Sequence, residues 1–191
     1  MRNILFFGPP GVGKGTNAIK IAQMFNLKHF STGDKIRQEC EKKTKFGLYS
    51  KRLIDVGKLV PNEILIPQVR EWIMEEWNDN GFVFDGYPRS VEQSKDLDVF
   101  LRARKKPITH FFYFKATKEI LRERLKKRGE ISKREDDDPK FFDDRYNSYL
   151  KGEQAILNYF NGRSDVKYFE IDSNKKVDEI IKEINDKLLN L

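Results

Sequence analysis

One cysteine, two histidines and no long apolar run are the first things to notice in this chain of 191 residues. A lone Cys40 excludes an internal disulfide, and with no targeting segment the default compartment is the cytoplasm. Cys40 itself reads as an ordinary helix residue. No apolar stretch approaches the roughly 20 residues that a membrane helix needs, so no membrane partner is expected. Met1-Arg2-Asn3-Ile4 leads straight into an apolar strand, and no cleavable signal peptide is expected. His29 and His110 fall within or beside predicted strands and read as structural, so no general base is evident. Internal repeats, linkers and low-complexity tracts are also missing.

What is present suits a highly charged globular domain. The length allows one compact domain with a sizeable core and short appended lobes. The hydrophobic and charged fractions are 38% and 35%, and the net charge is +7. A basic balance raises the question of nucleic acid. However, 30 acidic residues are interleaved with 37 basic ones. The sharpest imbalance runs from Lys115 to Arg134, where nine Lys or Arg face only Glu119, Glu123 and Glu130. A patch that local could serve a nucleotide as well as a polymer.

Phe6 to Thr16, reading FFGPPGVGKGT, organises the rest. An apolar run, Ile4 to Phe7, precedes it, and a helical pattern follows through Ala18, Ile19, Ile21, Ala22 and Phe25. Strand, glycine-rich turn and helix, in that order, are the setting of a phosphate-binding loop. The backbone can turn so that successive N–H groups, and the positive end of the new helix, face an anion. Lys14 can reach the outer phosphates as a point charge. Gly15 stands where Ser or Thr is usual, with Thr16 one place later. The pattern therefore puts no magnesium-binding hydroxyl directly after the lysine.

In chain order, strands are predicted at Asn3 to Phe7, Lys28 to Phe30, Gly81 to Phe84, Thr109 to Phe114 and Lys167 to Ile171. Helices alternate with them. One follows the loop to about Met24. One is capped within Ser31-Thr32-Gly33-Asp34 and runs to about Lys43. Phe46 to Val56 and Glu63 to about Asn78 follow, the second with Trp72 and Trp77 in core spacing. Pro67 lies in its first turns. Ser90-Val91-Glu92-Gln93 resembles a capping box for a helix to about Arg104. Thr117 opens a helix to Arg128, and Gly129 to Lys140 is expected to be a mobile surface loop. Helices at Phe141 to Phe160 and Val177 to Leu189 complete the list. Alternation predicts an α/β fold with a parallel sheet and right-handed crossovers. Extra helices after the second and fourth strands would project as lobes over the strand ends beside the phosphate loop.

Asp85 ends the third strand, where ligands bind in open α/β sheets. Arg124 and Arg128 share one helical face. With Arg37, Arg89, Arg134 and Arg145 they lie on segments that could converge on one cleft, suited to bidentate recognition of oxygen anions. Such an array suits phosphoryl transfer, where catalysis is mostly positioning and electrostatic stabilisation. An acceptor that is itself a phosphate is already ionised and needs no base.

The chain resembles the adenylate kinases of the short-lid nucleoside monophosphate kinase type, over essentially its whole length. The motifs that carry the resemblance are GPPGVGKGT at 8–16, STGD at 31–34 with Arg37, GKLVP at 57–61, DGYPRSVEQ at 85–93, and the arginines of RLKKRGEISKREDD onward to Arg145. The resemblance implies a P-loop NTPase-type five-stranded parallel sheet flanked by helices, with a helical NMP-binding lobe and a short lid. It divides the single domain into a core (1–30, 61–127, 138–191), an NMP-binding lobe at about 31–60 and a lid at about 128–137. It implies ATP + AMP ⇌ 2 ADP with Mg²⁺. The short lid contains no Cys, and so no structural zinc is expected.

By the same resemblance, Gly11, Val12, Gly13, Lys14, Gly15 and Thr16 take the ATP phosphates. Arg124 lies against the ATP base, and the Lys175 backbone touches it. Arg128 holds ATP phosphates. Thr32, Arg37, Lys58, Leu59, Val60, Gly86, Tyr87, Pro88, Arg89 and Gln93 take AMP, while Arg134 and Arg145 embrace the transferring group and the AMP phosphate. Asp85 orders the waters of a magnesium ion held mainly through phosphates, with Thr16 nearby. The catalytic set is thus Lys14, Asp85, Arg89, Arg128, Arg134 and Arg145. Closure of lid and lobe would exclude water as a competing acceptor. The similar UMP/CMP kinases tend to have Ala at the place of Thr32 and Asn at that of Gln93, so these two residues favour AMP. Asn17 stands where Gln is common, Lys133 where a small residue is usual, and Asp138 extends Asp136-Asp137. A monomer acting on ATP, AMP and ADP is expected, with neither nucleic acid nor membrane as partner. The competing readings are a UMP/CMP kinase, a non-catalytic nucleotide-binding regulator, and a nucleic-acid binder using the basic patch.

Overall fold

A computed structural model of the chain describes residues 2–55, 58–132 and 141–190. Five strands form one sheet: β1 (Ile4–Phe7), β2 (Lys28–Ser31), β3 (Phe82–Asp85), β4 (His110–Lys115) and β5 (Lys167–Asp172). All pairings are parallel, in the order β2-β3-β1-β4-β5. The helices are α1 (Lys14–Met24), α2 (Thr32–Glu41), α3 (Lys45–Ile54), α4 (Asn62–Glu75), α5 (Val91–Arg102), α6 (Lys118–Ser132), α7 (Phe142–Phe160) and α8 (Val177–Leu189).

The central strands read as continuous apolar runs because both faces are covered, and the pleat sends alternate residues to opposite sides. Leu5 and Phe7 join Phe30, Phe82, Phe84 and Phe111 on one face, packed under Val69, Trp72 and Ile73 of α4, Leu97 and Leu101 of α5, and Ile156 and Phe160 of α7. Ile4 and Phe6 join Val83, Phe112 and Phe114 on the other, packed under Ala18 and Ile21 of α1, Leu121 and Leu125 of α6, and Ile180 and Ile184 of α8. Trp72 is buried in the first cluster and Trp77 packs on its edge, as their spacing predicted.

Local rules set the helix starts. Ser31 Oγ accepts from the Asp34 N–H and Thr44 Oγ1 from the Gly47 N–H. Each satisfies a donor that the first helical turn cannot. Gly47 also lets α3 meet α2 backbone to backbone, since a Cβ there would lie 2.0 Å from the Glu39 carbonyl oxygen. At Ser90 the predicted capping box is only half formed. The Ser90 hydroxyl accepts from the Gln93 N–H, but the Gln93 side chain accepts from the N–H of Arg89, one residue before the cap. Helix α6 runs to Ser132, four residues beyond its expected end at Arg128. A mid-helix Gly129 costs about 1 kcal/mol against Ala, which a helix of this length absorbs. Residues 133–140, the rest of the predicted loop, lie outside the described residues.

Candidate active site

Parallel pairing brings three strand ends level. Asp85 is the register partner of Phe6 on β1 and of Ser31 on β2. Just beyond that line come the turn Gly8 to Gly13, the start of α2 at Thr32, and Gly86 to Arg89. The chain leaves β1 through the turn and enters α1 at Gly13, whose φ of 94° is a left-handed conformation open to glycine. The first N–H groups of α1 have no partner within the helix, which leaves them available to an anion.

Lys14 opens α1 and folds back over the turn, its Nζ donating to the carbonyls of Gly8 (2.7 Å) and Pro9 (2.9 Å). Its surface area leaves it partly exposed, yet protein surrounds most of the ammonium. That desolvation is the largest cause of a pKa lowered from 10.5 to about 8. Asp85 acts in the opposite direction, and the charges of Arg89, Arg145 and Arg128 lower it further. Residues from the phosphate loop, β3, the turn after β3, α6 and α7 therefore share one electrostatic neighbourhood around Lys14.

Asp85 is held close to this loop. A Cβ on Gly15 would stand 3.1 Å from Asp85 Oδ2, so the glycine in the usual Ser/Thr place leaves room for the carboxylate. The His29 ring lies on the other side, with Nε2 3.6 Å from the same Oδ2. His29 was expected to be purely structural. A two-residue period puts it on the face of β2 that Ser31 shares, but its meeting with Asp85 depends on β2 pairing with β3, which the sequence does not spell out. Thr16 is exposed at the start of α1, and Asn17 Nδ2 donates to the Gly13 carbonyl.

On the β2–β3 side, Thr32 is buried and its hydroxyl has no hydrogen-bond partner among the described residues. Arg37 pairs with Asp34 on α2. Lys58 and Leu59 are exposed, whereas Val60 is buried in the core under α4. Tyr87 and Pro88 are buried, with a cis peptide bond between them. Arg89 Nε donates to the Gly86 carbonyl at 2.8 Å. Gln93 is buried, and its Nε2 donates to Asn62 Oδ1 at 2.7 Å. The motifs gave no warning of Asn62, which lies 31 residues away in sequence.

On the β4–β5 side, Arg124 donates to the Ser173 carbonyl at 2.8 Å, joining α6 to the turn that also carries Lys175. The Lys175 ammonium pairs with Glu183 on α8. Of the six predicted arginines, Arg89, Arg128 and Arg145 act on Lys14, Arg124 sits one helical turn from Arg128, and Arg37 belongs to α2. Arg134 lies outside the described residues. Among the described residues no three or more His, Cys, Asp or Glu side chains cluster as a metal cage, and no helix is long and apolar enough to cross a membrane.

This arrangement can cradle phosphate oxygens and neutralise charge that develops on them. The chain is similar to known proteins of one kind. The adenylate kinase family model matches residues 6–165. A Flavobacterium psychrophilum adenylate kinase is 34% identical over 192 aligned positions, covering 100% of both chains. A Mycobacterium tuberculosis adenylate kinase is 39% identical over 82% of this chain and 84% of its own. One from Thermosipho melanesiensis is 30% identical over 95% and 97%. From the phosphate loop to the arginines around Lys14, the chain belongs to the adenylate kinase family and is a phosphotransferase.

Proposed function

We propose that the enzyme moves the γ-phosphoryl group of ATP to AMP and runs the same step in reverse. An AMP phosphate oxygen forms a bond to the γ-phosphorus as the bond from that phosphorus to the β-bridging oxygen breaks, leaving two ADP. Both phosphates are already ionised, so no proton has to be removed by a base. The observation that carries the reading is the meeting of Lys14 with Asp85 and with the charges of Arg89, Arg128 and Arg145. The loop amides and Lys14 hold the outer ATP phosphates, Arg128 and Arg145 neutralise the group in transit, and Arg89 holds the AMP phosphate. Arg124 and the turn at Lys175 flank the ATP base. Thr32, the Lys58 to Val60 backbone and Gln93 frame the AMP base. Residues 31–60 and 128–137 serve as the AMP-binding lobe and the lid, the lid bringing Arg134.

The residues suit magnesium. A hard ion that keeps most of its waters needs one carboxylate and substrate phosphates rather than a protein cage. Asp85, beside Gly15 and Thr16, supplies that carboxylate. Bound there, the ion would supply positive charge to offset that on the phosphate oxygens. The proposal includes a monomer acting in the cytoplasm on free nucleotides.

The test is ADP formation from ATP-Mg²⁺ with AMP, UMP or CMP as acceptor. Fast turnover with AMP alone is expected. A preference for UMP or CMP would keep the chemistry and overturn the roles of Thr32 and Gln93. Failure with all three would overturn the reaction itself.

A further inference from the structure

The side chain of Gln93 is wired at both ends to groups of fixed polarity. Its Oε1 faces the Arg89 N–H at 2.7 Å, and a backbone N–H can only donate. Its Nε2 donates to Asn62 Oδ1 at 2.7 Å. Asn62 could in principle turn its own amide round, but its Nδ2 donates to Glu92 Oε2 at 2.7 Å and to Ser90 Oγ at 3.4 Å. An ionised carboxylate can only accept, so Asn62 must show its oxygen to Gln93.

We propose that Asn62, held by Glu92, is a positioning residue that fixes the orientation of the Gln93 amide and thereby selects a 6-amino purine over a 6-oxo purine. The inference rests on the reading of Gln93 as the residue that meets the AMP base. With one Nε2 hydrogen given to Asn62 and one Oε1 lone pair given to Arg89, Gln93 retains one donor and one acceptor, side by side. That pair complements the amino group of adenine and the ring nitrogen next to it. A purine with oxygen at position 6 sets acceptor against acceptor. Gln93 can relieve that clash only by turning, which would place its NH₂ against the Arg89 N–H and its oxygen against Asn62 Oδ1. Two buried repulsions would replace two hydrogen bonds, and such sites discriminate strongly. Without Asn62 and Glu92 one of those repulsions disappears, and rejection of the oxo base weakens. Asn62 is half-buried at the start of α4 and Glu92 is exposed, so neither belongs to the packed core.

The experiment measures kcat/KM for AMP and for inosine monophosphate in wild type, Asn62→Leu, Asn62→Asp, Glu92→Lys and Gln93→Leu. The AMP preference should drop by about tenfold in Asn62→Leu, the worth of one hydrogen bond, while kcat with saturating AMP stays near wild type. Asn62→Asp loses its bond to Glu92, whose exposed carboxylate can turn into solvent, but it still accepts from Gln93 and should keep the preference. Glu92→Lys puts a donor where the carboxylate was, turns Asn62 round, and should lower the preference as Asn62→Leu does. That surface change also keeps the test intact if Asn62→Leu fails to fold, which a thermal melt reports. A preference unchanged in both Asn62→Leu and Glu92→Lys, yet lost in Gln93→Leu, overturns the role of Asn62 alone. If Gln93→Leu changes neither the KM for AMP nor the preference, the base is not read by Gln93, and both readings fall together.

Discussion

At the N-terminal ends of the strands, Asn3 is buried and fully used: its Nδ2 donates to the Lys106 carbonyl (2.7 Å), its Oδ1 accepts from the Phe82 N–H (2.9 Å), and its carbonyl accepts from Thr109. At the C-terminal ends, polar side chains are buried with nothing to bond. Thr32 Oγ1, Tyr87 OH and Ser173 Oγ, just past β2, β3 and β5, find no partner among the described residues, and His29 Nε2 faces Asp85 only at 3.6 Å. An unpaired buried polar group costs about 1–3 kcal/mol, so a fold does not gather several at one edge for stability. At the lower edge Asn3 uses polarity to bind strand to strand, although His110 Nε2 there also lacks a partner among the described residues. The upper edge gathers more such groups, the arrangement expected if they are held for ligands. If that division is right, mutations at the two edges should separate stability from activity.

The largest effect should come from Lys14→Met. Loss of the cation that donates to the loop carbonyls should lower kcat/KM by about a thousandfold. The melting temperature should hold or rise, because a desolvated charge is removed. The opposite arm is Asn3→Ala, which leaves the Phe82 N–H and the Lys106 carbonyl unpaired. It should cost about 2–4 kcal/mol and lower the melting temperature by on the order of 10 °C, with kcat unchanged below the transition. Scanning calorimetry beside an ADP-formation assay reads both. Two variants with the same ratio of stability loss to activity loss would erase the distinction.

The edges should also respond at opposite ends of the pH scale. His110 begins β4 at the lower edge, stacked over Phe112 and facing Thr109 Oγ1 through Nδ1. Burial, then the charges of Lys167 and Arg2, lower its pKa from 6.5 to about 4. Its protonated form is disfavoured in the folded chain. Above pH 6.5 the ring is neutral in both states and nothing is lost. As the pH falls from 6.5 to about 4 the unfolded chain takes up the proton first, and stability falls by on the order of 3 kcal/mol. Urea melts over that range should show the slope, and His110→Phe should flatten it. Lys14 marks the upper edge. With its pKa lowered to about 8, it loses its charge above that value, so kcat/KM for ATP should fall about tenfold per pH unit beyond it. An acid-side slope that survives in His110→Phe would place the titration elsewhere.

The sequence announces some of this and conceals the rest for physical reasons. Continuous apolar runs make β1, β3 and β4 visible, and Ser31 and Ser90 mark helix starts by short-range bonds that a motif can carry. The phosphate loop is legible because its strand, turn and helix are contiguous. For Arg128 of α6 and Arg145 of α7, whose charges act on Lys14, the family resemblance supplies the long-range half of the inference. What was missed is long-range and polar. The contact of His29 with Asp85 needs the β2–β3 register. The link of Asn62 to Gln93 needs α4 to begin beside α5. Even the Gln93 bond, foreseen as part of a capping box, was aimed at Ser90 when it goes to Arg89. The last turn of α6 is hidden because the stretch from Gly129 is polar and carries no apolar period, although nothing local forces a helix to end there.

The smallest effect is the sharpest test of the division. Thr32 is 3% exposed, and its hydroxyl is buried without a partner where α2 leaves β2. Valine has the same branched shape and removes only that hydroxyl's polarity. If Thr32 served the fold, Thr32→Val would destabilise the protein. A hydroxyl held for a ligand predicts the reverse. The melting temperature should rise by about 3 °C, for roughly 1 kcal/mol of desolvation no longer suffered, while the KM for AMP rises by about tenfold and that for ATP stays put. A stabilised enzyme with an unchanged KM for AMP would show that the hydroxyl serves neither end. A destabilised one would move Thr32 to the company of Asn3, and the boundary between the two edges of the sheet would have to be redrawn one residue higher.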